Sequence, residues 1–279
     1  MVGAVLLAVT LGADAAIAQR GGGGAPAPLP RNFYEDRLSR QGDKIIFCVN
    51  QDAMMADFER DLARLIGEVL LVEVEIYDVD PPLPTIPLDY RLPLLPEQIF
   101  LVLIDDCDAM FGFALAGSYR DWITLSRPYL DTRMVLVVAD PAIAGFTDIP
   151  RDGAVGTRAM SNGDIALITY LQALPASNRW QRIGYFTNEI LLERLRDGTV
   201  GGAVMWEPAV HFATEGDPAS AGLRILPLPF VPRPTQLGLA MLAEDLFLRT
   251  ALDEAIAVLV ADGAVEALAV EHHLRPVPQ

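Results

Sequence analysis

Residues 124–139 read TLSRPYLDTRMVLVVA, and the last six of them, Met134 to Ala139, are unbroken apolar. A strand buried on both faces needs such a run, because neither side of it meets water. Burial does not account for Arg127, Tyr129 and Arg133, crowded just ahead of it. The segment reads as a handover, in which a polar, tyrosine-bearing turn closes one α/β unit and a buried strand opens another. What stands on either side tests that reading.

Upstream, KIIFCVN (44–50) is a buried strand. FERDLARLIGEVL (58–70) sets Phe58, Leu62, Leu65, Ile66, Val69 and Leu70 on one helical face, with Asp57 as the expected N-cap. VEVEIYDV (72–79) alternates and returns as a strand, which makes a right-handed crossover unit. A proline-rich loop at 81–96 leads to a helical stretch near 97–104. CDAMFGFALAG (107–117) is then a short strand running into a glycine loop. Downstream, a second set follows: GAVGT (153–157) as strand, DIALITYLQAL (164–174) and NEILLERLRDG (188–198) as helices, GGAVMW (201–206) as strand. LRILPLPF (223–230) leads to QLGLAMLA (236–243), and helices near 245–260 and 264–270 end the chain. If those helices return to the first unit, two crossings join the units. TRMVLVVA is the outgoing one and LPFVPRPTQLGLAM the return. The expected architecture is α/β, with two lobes joined by two crossing strands. Residues 44–132 plus 236–279 form lobe one, and 133–235 form lobe two with the hinge strands.

The first nineteen residues, MVGAVLLAVTLGADAAIAQ, combine a short apolar core from Val2 to Leu11 with Ala16-Ile17-Ala18, a small-x-small cleavage pattern. Residues 1–18 therefore read as a secretory signal peptide, too short for a membrane span, and 19–43 as a flexible Gly/Pro-rich linker. Export to a periplasm is expected. Of 279 residues, 52% are hydrophobic, and 37 acidic against 21 basic residues give a formal net charge of −16. A nucleic-acid partner needs a positive field and is excluded on that ground. Cys48 and Cys107 meet an oxidising compartment and can pair. Strand counting argues against it, since Cys48 falls late in one strand and Cys107 opens another. The offset exceeds the roughly 7 Å that a disulfide spans. Two buried thiols are the expectation.

In order and spacing, KIIFCVN, the following helix, the CD-plus-apolar strand and LSRPYLDTRMVLVV resemble bacterial extracellular solute-binding proteins of the type that binds polar amino acids. The resemblance spans most of 44–274 and implies a two-lobed, type 2 periplasmic-binding fold. Four features are similar to the branch associated with quinoprotein alcohol dehydrogenases of methanol-oxidation clusters. They are the cysteine in IIFCVN, CDAMFGFALAG, the RPY triplet at 127–129 and the Trp-x-Pro of AVMWEPAV (203–210). Where amino-acid binders carry an aspartate for the ligand's ammonium group, this chain has Trp206, with Glu207 beside it. Arg120 stands about two residues from the position of their carboxylate-clamping arginine. The resemblance implies a small polar ligand, amino-acid-like or a carboxylate, held in a cleft without cofactor or chemistry. A membrane permease is the partner it implies; docking to a periplasmic quinoprotein dehydrogenase is the alternative.

Open α/β sheets present ligands at the C-terminal ends of their strands, which selects the candidate residues. Thr157, Arg158 and Ser161 precede a helix whose N-terminus can hold an anion, and Ser161 or Asn162 can equally cap it. Ser118, Arg120 and Asp121 follow the glycine of FALAGSYRD; Arg120 offers a carboxylate clamp or a solvated ion pair with Asp121. Phe113, with Tyr119 and Trp122, lines a pocket wall or the core. Tyr129 lies at the hinge end of the cleft if the resemblance holds. Trp206 and Glu207 either meet a ligand or pack at the hinge. Asp105, Asp106 and Asp108 lack the spacing of a calcium loop and read as a turn; His211, His272 and His273 make no zinc site. No glycine-rich phosphate loop or GxSxG elbow occurs.

Overall fold

The computed structural model describes residues 44–50, 53–79, 95–231 and 233–274. The leader, the linker and most of the proline-rich loop lie outside those residues. β1 (Lys44–Asn50), α1 (Ala56–Leu70) and β2 (Glu73–Val79) form the expected crossover, with β1 and β2 parallel from Lys44↔Glu73 to Asn50↔Val79. α2 (Pro96–Asp105) leads to β3 (Ala109–Ala114), parallel to β1 on its other side. Two short strands, β4 (Ile123–Leu125) and β5 (Leu130–Thr132), precede β6 (Met134–Val138). The second unit runs β7 (Ala154–Arg158), α3 (Asn162–Ala173), β8 (Gln181–Tyr185), α4 (Asn188–Arg196), β9 (Gly202–Trp206), α5 (Glu207–Ala213) and β10 (Arg224–Pro227). β11 (Thr235–Leu242), α6 (Leu246–Ala261) and α7 (Ala264–Glu271) complete it.

There are two sheets. One has the order β2-β1-β3-β11-β4, with β5 also paired to β11; the other has the order β10-β6-β9-β7-β8. Only Arg133 separates β5 of the first from β6 of the second. The return crossing brings β11 back beside β3, antiparallel, with Leu237 opposite Ala114. The final helices follow it home. Leu252, Ala255, Ile256 and Leu259 of α6 and Val265 and Ala269 of α7 share one core with Phe58, Leu62 and Ile66 of α1. Each such side chain contributes about 1.5–3 kcal/mol when fully buried, so α6 and α7 belong energetically to the first body. The apolar run at 134–138 is also explained. Val135 and Val137 pack with Leu191 and Leu195 of α4, whereas Leu136 and Val138 pack with Leu167 and Leu171 of α3.

Three expectations are corrected. The cap of α1 is Met55, and Asp57 lies inside the first turn, where it bonds Arg60 at 2.7 Å. On the same helix Val69 is exposed, because the chain turns away at Leu71, which has φ 57°. Cys48 and Cys107 form a disulfide, with 5.7 Å between Cα atoms. The strand count failed because the chain bends at Asp108. Asp108 N–H donates to Ile46 O at 2.8 Å and its carboxylate accepts from Ile46 N–H at 2.8 Å, so Asp108 docks on β1. Cys107 then leaves the sheet and folds over the face of β1 that Cys48 presents, in one cluster with Leu103, Met110 and Phe113.

Candidate functional site

The crossings fix where a ligand can sit. In the first sheet, the return strand meets β3 at its C-terminal end, Leu237 opposite Ala114. In the second, the outgoing strand starts beside the C-terminal end of β9, Met134 opposite Trp206. The waist therefore attaches to both sheets at the C-terminal ends of their parallel strands. Ligands of open α/β sheets occupy that edge.

The second body supplies the better-built rim. Ser161 caps α3, its hydroxyl accepting from Asp164 N–H at 3.2 Å and donating to Arg158 O at 2.7 Å. The N–H groups of Asn162 and Gly163 keep no partner among the described residues. They carry the positive end of the helix dipole. Gly163 lets α3 come this close, because a Cβ there would sit 3.2 Å from Val204 and 3.3 Å from Met134 Sδ. Thr157 stands opposite Val204 in register, so both side chains point toward that first turn. Thr157 is fully buried, and its hydroxyl has no hydrogen-bond partner among the described residues. Leaving such a group unsatisfied costs about 1–3 kcal/mol. A hydrogen-bonding atom placed within reach of that hydroxyl would relieve the cost. Arg158 is exposed at the end of β7.

Two ion pairs brace this rim. Asp164, 3% exposed, receives both Arg182 nitrogens, at 2.5 and 2.6 Å, and Met160 N–H at 2.9 Å. Glu207, 4% exposed, receives Arg133 through two nitrogens, at 2.5 and 2.8 Å, and its own N–H donates to Arg133 O at 2.9 Å. Each carboxylate raises its guanidinium further above the usual arginine range. Met160, at φ 62°, and Phe186 are exposed apolar lips, brought together by the bond from Ala159 N–H to Tyr185 O at 2.7 Å.

On the first body, Ser118, Arg120 and Asp121 are exposed on the loop after β3. Of the two readings of Arg120, the ion pair with Asp121 does not form, and neither side chain has a hydrogen-bond or ion-pair partner among the described residues. Gly117 lets the loop fold over Tyr119, whose hydroxyl donates to Ala114 O at 2.7 Å.

Three sequence candidates are placed elsewhere. Tyr129 is 1% exposed in the core of the first body, among Phe58 and Phe111. Its hydroxyl accepts from Gly112 N–H at 3.1 Å and donates to Glu59 at 3.3 Å. Phe113 packs against Tyr119 in the core beneath α2. Trp206 packs against the core of the first body, although its strand belongs to the second. It is a hinge wedge. Asp164, Arg182 and Met160 were not singled out; only the pairing of β7 with β8 brings Arg182 to Asp164. No cluster of metal-ligating side chains occurs among the described residues.

No protein-family model and no curated protein matches the chain. Solved structures do. The L-cystine solute receptor of Neisseria gonorrhoeae, in its unliganded open conformation, is 17% identical, with 84% of this chain and 95% of that one covered at a TM-score of 0.65. The second substrate-binding domain of a putative amino acid ABC transporter from Streptococcus pneumoniae is 15% identical, with 83% and 99% covered at 0.61. AncCDT-1, an ancestral cationic amino acid solute-binding protein, is 16% identical, with 86% and 98% covered at 0.64. The same ancestral protein is also described as a precursor of cyclohexadienyl dehydratase. At these identities the likeness establishes the fold. The chain has the two-lobed architecture of periplasmic binding proteins, with two α/β lobes and a double-stranded waist.

Proposed function

We propose that this chain is an exported binding protein that captures a small polar molecule between residues 44–132 plus 236–279 and residues 133–235. The observation that carries the reading is the common position of the two rims, each at the strand end where the waist attaches. A ligand that touches both rims only when they approach favours the closed state by its differential affinity. Three of the similar structures carry the descriptions amino acid ABC transporter domain, cationic amino acid solute-binding protein and L-cystine receptor, which supports a small polar metabolite as ligand. Chemistry is not required. Glu207, the acid nearest a catalytic position, is held by Arg133 in a bidentate pair. Titration calorimetry against a metabolite panel, with small-angle scattering to detect closure, tests the reading. Saturable heat with compaction is expected; a panel-wide absence of both overturns it.

The signal peptide 1–18 and linker 19–43 complete the proposal, and the Cys48–Cys107 bridge suits an oxidising compartment. A mature N-terminus at Gln19 is expected from mass spectrometry of the exported protein. Delivery to a membrane permease is the first role. The second reading is docking to a periplasmic quinoprotein dehydrogenase. Two of the four features similar to that branch, the cysteine of IIFCVN and that of CDAMF, are joined in one bridge. Affinity capture from periplasmic extract separates the roles: a quinoprotein dehydrogenase recovered without a bound metabolite selects the second.

A further inference from the structure

We infer that the site takes an organic anion, a carboxylate that carries no ammonium group. The inference rests on the binding-protein reading above and narrows it. A cation in a closed cleft needs an acceptor with unspent charge. The acids of the second rim have none to spare. Glu207 is gripped by two nitrogens of Arg133, and Asp164 by two of Arg182 plus the N–H of Met160. Both carboxylates are at least 95% buried. Pulling either away to meet a ligand would strand a guanidinium.

The donors are unspent. Asn162 and Gly163 offer two free N–H groups at the positive end of α3, and Thr157 offers a buried hydroxyl with no partner among the described residues. Across the gap, Arg120 has no partner among the described residues, and Ser118 is exposed on the same loop. One opposing acid stands at the waist itself: Asp131 on β5, whose carboxylate accepts from the Gln236 amide at 3.2 Å. Asp121 is exposed beside Arg120, where solvent screens it. Glu189 opens α4 beyond the edge strand β8, which β9 and β7 separate from the waist. A chain of net charge −16 thus keeps a donor-rich edge beside its waist, where the two buried acids, Asp164 and Glu207, are each paired to an arginine. Such a local excess selects an anion and repels its competitors by leaving a cation unpaired.

Matched probes decide it. Succinate and aspartate share a carbon skeleton and both carboxylates, and so do glutarate and glutamate; each pair differs by one ammonium group. Calorimetry on the mature protein should show at least one dicarboxylate binding tenfold or more tightly than its amino counterpart. Equal or tighter binding of the amino acids overturns the inference and leaves the binding-protein reading intact. The same holds if only neutral sugars or alcohols bind. No heat and no compaction with any probe removes both. The variant Arg133→Gln releases the Glu207 carboxylate, so the tenfold preference should shrink in the folded variant. A preference of unchanged size there also counts against the inference.

Discussion

At the scale of single residues, Glu59 is the most demanding feature of the fold. It is 3% exposed within the hydrophobic core under α1, and among the described residues its carboxyl is bonded by the Tyr129 hydroxyl alone. Burial raises its pKa from 4.5 to about 8, against smaller opposing effects of Tyr129 and Arg60. The folded protein therefore holds a proton that the unfolded chain releases above about pH 4.5. Between that value and about 8 the native state binds more protons, so stability falls as pH rises, by about 1.4 kcal/mol per pH unit from this one group. Glu59→Gln has no proton to lose and keeps an acceptor for Tyr129. Its melting temperature should match the wild type near pH 4 and exceed it increasingly up to pH 8. A constant difference across that range would mean that Glu59 is ionised in the fold. A second test concerns Gly117, where a Cβ would lie 2.5 Å from the Tyr119 ring. A ring cannot yield as a flexible chain end does. Gly117→Ala should cost about 1–3 kcal/mol in denaturant unfolding and should weaken ligand binding through the displaced loop of Ser118 and Arg120.

At the scale of elements, most of the order was legible and the docking of the ends was not. The alternation of VEVEIYDV and the 3.6-residue spacing of α1 announce themselves because each buries one face. β4 and β5 have three residues each, too few to show any period. β8 is an edge strand, largely exposed, so its sequence carries no apolar signal. The disulfide shows the limit most clearly. Strand counting extends a straight line, but the side chain of Asp108 bonds β1 and turns the preceding residue out of that line. Candidate site residues fared by the same logic. The position of Thr157, Arg158 and Ser161 at a strand-to-helix transition was readable, whereas the ion pairs that Arg133 and Arg182 make depend on pairings between distant strands. The bridge closes a sequence separation of 59 residues, for which loop-closure entropy gives about 4 kcal/mol. Reduction, or the variant Cys48→Ala with Cys107→Ala, should lower unfolding free energy by about that amount while leaving the second body's ligand donors in place. A loss below about 1 kcal/mol would show that the unfolded chain is already confined there.

At the scale of the whole molecule, the waist is where the two sheets are joined and where the proposed closure would turn. Trp206 ends a strand of the second sheet, yet its ring packs on the core of the first. Arg133 is the single residue between β5 and β6, and it is tied to Glu207 by both its guanidinium and its carbonyl. The wedge resists rotation of one body against the other, while the ion pair holds the strand end from which rotation starts. In the proposed closure on a ligand, Trp206 packing is a contact that the movement would have to work against. Trp206→Ala removes the wedge and leaves the Arg133–Glu207 pair intact. Spin labels at exposed Leu71 on the first body and exposed Arg196 on the second report the angle between them. The wild type without ligand should give a narrow distance distribution and Trp206→Ala a broader one, reaching shorter separations. Because less contact is lost on closing, the variant should also bind its ligand as tightly as the wild type or more so. Superimposable distributions would show that backbone strands alone set the angle, and the wedge would then be packing without a mechanical role.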